Sequence, residues 1–246
     1  MFRDKTLWII GANSDIAKSF ITKYSNCFGK VVLTTRETEQ ISKMLCELGI
    51  NNADVYHLDL TDKESSDTFI KKAPEPYGVI FFAGHIEYSG KSENNSALNI
   101  EDTVSVNFLT PVIMIERVSE KMRKKEDGFI ALLSSAGEIR GKYSNRFYVS
   151  SKKAVTTYLE GLAQYNGKYN VKTMVFKLGH TDTKMLKKLN NSRKPVFVAS
   201  PQQVADFLFR EIEKNKSTVK YYRSIWKYIA RIYACLPKVI YKKIEM

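Results

Sequence analysis

The sequence predicts a doubly wound α/β fold, a parallel sheet with helices on both faces in a single domain, followed by a basic amphipathic helical tail. Three observations predict it. Apolar, β-rich runs alternate with longer polar-patterned segments, and those runs are nearly continuous in their apolar character. The first of them ends in a small-residue turn at the head of an amphipathic helix. Strands covered on both faces lose the polar alternation of half-buried ones, and a β-α-β-α order builds a parallel sheet.

In chain order, LWIIG at 7–11 reads as a strand and is followed by a helix near 15–26. VVLTT at 31–35 precedes a helix near 37–48, and DVYHL at 54–58 precedes one near 62–72. VIFFAG at 79–84 leads to a long helical stretch at 99–125, and FIALLSS at 129–135 to another at 147–168. VKTMVFKL at 171–178 is the sixth strand. No repeat, low-complexity linker or charge shift divides the core. Residues 1–220 therefore read as one domain and 221–246 as the tail, the chain turning distinct from about residue 216.

A chain of 246 residues can bury a large core, and a 43% hydrophobic fraction is ordinary for a globular protein. Cys27, Cys46 and Cys235 have no paired spacing. With only three histidines they argue against a zinc site or a disulfide framework, so no metal is expected and a reducing cytoplasm is. A strand begins within a few residues of Met1, leaving no expected room for a signal peptide, and no run of about 18 uncharged apolar residues marks a spanning helix. The formal charge is +13. Nucleic acid, anionic lipid and phosphorylated substrates would all suit it, and its distribution must decide.

Gly11-Ala12-Asn13-Ser14-Asp15-Ile16-Ala17 joins the first strand to its helix. Free N–H groups and the helix dipole make such a turn an anion site. Alone the signal is weak, since other tight βα turns would read alike. Further on, Ser135 precedes Tyr148 by thirteen positions, Tyr148-Val149-Ser150-Ser151-Lys152 is a Y-x-x-x-K, and Asn107 lies in the long helical stretch upstream. This ordered series resembles the short-chain dehydrogenase/reductase family over roughly residues 5–220. The resemblance implies a Rossmann fold and a catalytic set of Asn107, Ser135, Tyr148 and Lys152. It also implies a cofactor site of Gly11, Asn13, Ser14, Asp15, Ile16, Asp59, Leu60, Ala83, Gly84, Thr181 and Thr183, with Tyr148 and Lys152 shared.

The chain departs from the family pattern in places. Asp15 and Ala17 stand where the later glycines of the turn belong, Phe81-Phe82-Ala83-Gly84 lacks the asparagines of its N-N-A-G, and Leu178 replaces a proline. Asp15 would repel a pyrophosphate unless it caps the helix or points away. G-A-x-S-D-I-A with an asparagine-free A-G is similar to the branch containing decaprenylphosphoryl-2-keto-ribose reductase, which acts on lipid-linked sugars.

Cofactor choice follows from charge. An acid at the end of the second strand would bind ribose hydroxyls and reject a 2′-phosphate. Here stand neutral Thr35 and then Arg36, whose guanidinium can take the phosphate bidentately, so NADP(H) is the expected cofactor. The alternative for Arg36 is a solvated surface charge, and Glu37 beside it is unfavourable. A free tyrosine, with a pKa near 10, is a poor base at neutral pH. Lys152, one helical turn on, offers a charge that stabilises tyrosinate. Tyr148 would then pass the proton while Ser135 hydrogen-bonds the carbonyl oxygen. By resemblance Lys152 also holds the nicotinamide ribose and Asn107 a proton-relaying water.

Basic residues cluster in three places. Arg140, Lys142 and Arg146 lie between Ser135 and Tyr148; Lys184, Lys187, Lys188, Arg193 and Lys194 follow Thr183. By resemblance that second segment covers the substrate, and a basic cover over a ketone favours an anionic one, such as a sugar phosphate; a solvated loop is the alternative. The third cluster is the tail. Arg223, Lys227 and Arg231 recur every four residues among Ile225, Trp226, Ile229, Ile232, Tyr233 and Leu236, Pro237 breaks the helix, and Val239, Ile240 and Ile244 mix with Lys238, Lys242 and Lys243. Such a helix reads as an anchor in an anionic membrane interface or as a helix packed on the domain or across a homo-oligomer contact. Nucleic acid fits worse, because the apolar positions are too many. The expectation is a cytoplasmic oxidoreductase, held at the inner face of a membrane, that interconverts a ketone and a secondary alcohol on a phosphorylated or lipid-linked sugar of cell-surface polysaccharide synthesis. A non-catalytic NADP(H) sensor and a membrane-associated scaffold are the alternatives.

Overall fold

The computed structural model describes residues 2–86, 97–141, 143–187 and 196–244. Its elements are β1 (Phe2–Ile10), α1 (Asp15–Tyr24), β2 (Phe28–Thr35), α2 (Thr38–Glu47), β3 (Ala53–His57), α3 (Lys63–Lys72) and β4 (Gly78–Phe81). There follow α4 (Ala97–Val104), α5 (Thr110–Lys125), β5 (Gly128–Ser135), α6 (Arg146–Asn166) and β6 (Val171–Leu178). α7 (Lys184–Lys187), α8 (Pro201–Glu213), β7 (Thr218–Tyr221), α9 (Ile225–Cys235) and α10 (Lys238–Ile244) complete the chain.

Seven strands form one sheet in the order β3-β2-β1-β4-β5-β6-β7, all neighbours parallel. Alternate residues of one strand feed two cores. Leu7 and Ile9 of β1 join Phe20 of α1, Ile41 of α2 and Leu208 of α8 on one face. Trp8 and Ile10 join Phe69 of α3, Ile115 of α5 and Leu159 of α6 on the other. Burial on both sides explains the unbroken apolar runs. Successive strands run outward from β1 in one direction to β3 and, from β4, in the other. The crevice where that order reverses, at the carboxyl ends of β1 and β4, is where ligands bind in such sheets.

The six strands expected from the sequence are all present, with β1 beginning earlier, at Phe2. The helix expected at 99–125 is divided: a π-helical turn, Ser105–Leu109, separates α4 from α5. β7 lies outside the expected strands, since TVKY is only four residues long and carries a lysine. α8 also lies outside the expected helices, although Ser200 and Gln203 close a capping box with Pro201 in the first turn.

The chain after residue 216 is not a separate appendage. β7 pairs with β6 as far as Tyr221, one residue past the expected boundary at 220. α9 then turns Trp226, Ala230 and Tyr233 inward, at spacings of four and three, and the chain breaks at Pro237 before α10. Among the described residues no helix is long and apolar enough to cross a membrane.

Candidate active site

At the carboxyl ends of the central strands lies a cleft of ≈ 690 Å³, within the usual range for a small-molecule site. Every site residue expected from the sequence lines it except Asn107. Residues from turns more than 160 positions apart are thus brought to one wall.

The nucleotide end is built by the turn after β1. Gly11 has φ +88°, and a Cβ there would lie 2.7 Å from the Ala83 nitrogen, so glycine is required. Ser14 makes no side-chain cap at the head of α1, which leaves the first-turn N–H groups facing the cleft. The Asp15 carboxylate turns away from that position: its Oδ2 accepts the Lys184 main-chain N–H at 2.6 Å, tying the turn to the segment after β6. Asn13 Nδ2 donates to Glu37 Oε2 at 2.6 Å, while Asn13 Oδ1 is buried without a partner among the described residues. Thr35 is buried and Arg36 exposed at the rim. Burial pushes the Asp59 carboxyl upward, but the Thr61 main-chain N–H and hydroxyl, with Arg36 and His57 beyond, outweigh it and hold the group below its ordinary value.

The chemical end joins β5 to α6. Ser135 ends its strand and its Oγ accepts the Gly137 N–H at 3.1 Å. Tyr148, half-buried, and Lys152, 4% exposed, stand one turn apart on α6. Lys152 Nζ is 5.9 Å from the Tyr148 ring centroid and donates to the Leu133 carbonyl at 3.0 Å. Complete burial pushes its pKa down to about 8, against an opposing pull from the Glu138 charge.

Glu138 was not among the expected residues. Its carboxylate accepts from Ser134 Oγ and from Thr156 Oγ1 (3.0 Å), and it pairs with Lys177 Nζ at 2.8 Å. No short-range pattern announces an acid that leaves its loop to enter the core.

Asn107 sits behind the cleft wall, in the π turn. Its Oδ1 accepts the His85 N–H (2.9 Å), and its Nδ2 donates to the His85 carbonyl (2.7 Å) and Ser151 Oγ (3.1 Å). The side chain clamps the strand-end segment that carries Ala83 and Gly84 to the helix that carries Tyr148.

The basic clusters divide. Arg140 points to the tail: Nη1 donates to the Leu236 carbonyl at 2.7 Å, and the guanidinium lies 4.0 Å from the Tyr241 ring centroid. Arg146 Nη1 donates to the Tyr143 carbonyl at 3.0 Å and stacks on Tyr143 and Phe147. Neither lines the cleft; Lys184 does, and Lys187 pairs with Asp182 at 3.4 Å. Lys142, Lys188, Arg193 and Lys194 lie outside the described residues. Thr181 is buried and bridges to Ala199, while Thr183 Oγ1 donates to its carbonyl at 3.2 Å.

Trp226 closes the far side. It lines the cleft from α9, edge-on to His180 at 5.4 Å between ring centroids. A Cβ on Gly179 would lie 2.1 Å from its indole. The tail thus supplies a wall of the site, which its amphipathic pattern alone did not reveal.

Residues 5–194 match the family model described as short chain dehydrogenase. An uncharacterized oxidoreductase of Staphylococcus aureus strain MW2 is 26% identical over 207 residues, covering 82% of this chain and 88% of that protein. One from strain USA300 is 26% identical over 218 residues, covering 87% and 93%. Among solved structures, a short-chain dehydrogenase from Sphingobium yanoikuyae in complex with NADPH superposes with a TM-score of 0.81 at 16% identity, covering 95% of this chain and 97% of its own. One from Burkholderia cenocepacia in complex with NADP gives 0.81 at 16% identity, covering 100% of both. At such identities these structures speak for the fold.

Proposed function

This chain belongs to the short-chain dehydrogenase family, and from that premise we propose that it is an NADP(H)-dependent enzyme interconverting a ketone and a secondary alcohol. The observation that carries the reading is the convergence of Ser135, Tyr148 and Lys152 with the glycine turn on one cleft. NADP(H), when bound, supplies or accepts the hydride.

The residues fit that cofactor. The turn at Gly11 lets the backbone approach a pyrophosphate, and the uncapped first turn of α1 presents N–H groups to it. Asn13 Oδ1, buried and without a partner among the described residues, is an acceptor for a ribose hydroxyl. Arg36 stands where a 2′-phosphate needs a cation, with the structural relatives solved with NADP or NADPH as support. Ala83, Gly84, Asp59 and Leu60 form the adenosine and ribose walls, and Thr181 and Thr183 the nicotinamide side.

Tyr148 holds the mobile proton. In reduction its hydroxyl gives the proton to the carbonyl oxygen, and in oxidation it takes one from the alcohol. Ser135 hydrogen-bonds the same oxygen and fixes its position. Lys152, charged below about pH 8, stabilises the tyrosinate that reduction leaves. Asn107 holds the wall between these residues and the strand ends, and by family resemblance it also serves the proton path.

Lys184 lines the cleft beside the turn that carries Asp15, and its charge there supports an anionic ligand. With the likeness to the decaprenylphosphoryl-2-keto-ribose reductase branch, the finer reading is a phosphorylated or lipid-linked keto-sugar met at the cytoplasmic face of a membrane. The test is consumption of NADPH with phosphorylated keto-sugars. Tyr148→Phe should lower turnover at least about a thousandfold while NADPH binding stays within about twofold. Near-unchanged turnover in that variant overturns the assignment.

A further inference from the structure

Of the fifteen large apolar side chains exposed among the described residues, nine belong to two short segments, 196–198 and 225–240. The reason is visible in α9. Its inward face needs only Trp226, Ala230 and Tyr233, and everything else on the helix faces out. Ile225, Ile229 and Ile232 then form an outward apolar strip with Tyr228 beside it, and Ile232 is 67% exposed. Lys227 and Arg231 run alongside, with Arg223 just ahead of the helix, all exposed. On α10 Val239 and Ile240 are likewise exposed, next to exposed Lys238. Phe197, 51% exposed, meets Trp226 edge-on at 6.3 Å, which joins the two segments at the mouth of the cleft.

We propose that this surface docks on an anionic lipid bilayer. A contiguous apolar patch on a water-facing surface costs solvation and marks an interaction site. Its charge selects the occupant: no acid occurs anywhere from 214 to 244. A second copy of the chain, paired symmetrically through this patch, would set these cations against one another. A polyanionic nucleic acid would leave the isoleucine strip unsatisfied. An anionic bilayer satisfies both, with the apolar strip entering the acyl boundary and the cations meeting the headgroups. Because Trp226 belongs to the same helix and lines the cleft, docking would bring the mouth to the headgroup level, where a lipid-linked substrate presents its polar end. That last step rests on the oxidoreductase reading; the docking itself does not.

The experiment is co-sedimentation of the full chain with vesicles of phosphatidylcholine alone and of phosphatidylcholine mixed with phosphatidylglycerol, at low and high salt. The expected result is partition onto the anionic vesicles only, reversed by salt. A basic residue near such a surface is worth a factor of about five, so Lys227→Glu with Arg231→Glu should lower partition by about 25-fold or more. Ile229→Ser with Ile232→Ser should lower it independently, as should Val239→Ser. NADPH binding and reduction of a soluble ketone are read on each variant, so loss of docking stays distinguishable from loss of the enzymatic reading. Absence of anionic-vesicle binding, or binding indifferent to the charge reversals, overturns the proposal. So does concentration-dependent dimerisation that the isoleucine variants abolish while vesicles capture nothing.

Discussion

Lys177 Nζ lies 2.8 Å from Glu138 Oε1 in the core behind the cleft, where the two side chains are 9% and 0% exposed. A charge taken this far from water must be paired, and removing one partner costs far more than removing both. Glu138→Gln keeps an acceptor for Ser134 and Thr156 but strands the lysine cation. It should destabilise the fold by about 3–5 kcal/mol, read from the midpoint of urea unfolding. Glu138→Gln with Lys177→Met should regain most of that loss. Additive losses in the double variant would show that the pair is not a unit.

The same carboxylate bears on pH dependence through Lys152. Burial lowers the Lys152 pKa from 10.5 to about 8, and Glu138 resists the fall. The folded pKa lies below the unfolded one, so between about pH 8 and 10.5 the unfolded chain holds a proton that the folded chain has released. This group therefore adds stability as pH rises through that window, and below it the native state bears the full cost of burying the ammonium. Activity runs the opposite way. If the ammonium is needed beside Tyr148, kcat/KM for reduction should fall as pH rises through about 8, with an apparent value belonging to the coupled pair. Glu138→Gln should move that limb to lower pH. A limb that stays in place assigns it to another group.

Much of this was legible in the chain because the signals are local. The parallel sheet follows from unbroken apolar runs such as 129–135, and the glycine turn from one residue that must take a positive φ. Tyr148 and Lys152 share a face because four residues make one helical turn. What stayed hidden is set by tertiary contact. Asp15 reads as an acid beside a phosphate until its partner, the Lys184 N–H, is found 169 positions away. Arg140 reads as one of a basic cluster between Ser135 and Tyr148 until the carbonyl of Leu236 claims it. β7 takes its strand form from β6 alongside, which so short a segment does not announce.

Arg36 is predicted to decide between the two nicotinamide nucleotides. Thr35 behind it is neutral and buried, and Glu37 spends its carboxylate on Asn13. A charge-assisted contact to a phosphate is worth about 1–3 kcal/mol. NADPH should therefore bind more tightly than NADH, and Arg36→Ala should narrow the gap by that amount, as measured by fluorescence titration of both nucleotides. Equal affinities in the unaltered protein would make Arg36 an ordinary surface charge.

The last prediction concerns Gly179 and Trp226, where the helix after β7 meets the strand end before Thr181. The indole fills the space a side chain on Gly179 would need, with two ring atoms 2.1 Å from where its Cβ would lie. Neither a main-chain atom at 179 nor a tryptophan wedged against His180 and Phe197 can give way by that distance without moving α9. Gly179→Ala should then displace the helix, costing about 1–3 kcal/mol as other overpacked sites do. Ketone reduction should fall with it, because the cleft loses a wall. Trp226→Ala alone leaves a hollow and should raise the KM for substrate more than it lowers kcat. Placed in that background, Gly179→Ala should cost little further stability, since the new methyl then meets open space. If Gly179→Ala is as costly without the indole as with it, the clash lies elsewhere and α9 is not held by this contact. Thermal unfolding of the four proteins in the cycle decides the matter, with steady-state kinetics of the same four separating the loss of packing from the loss of the wall.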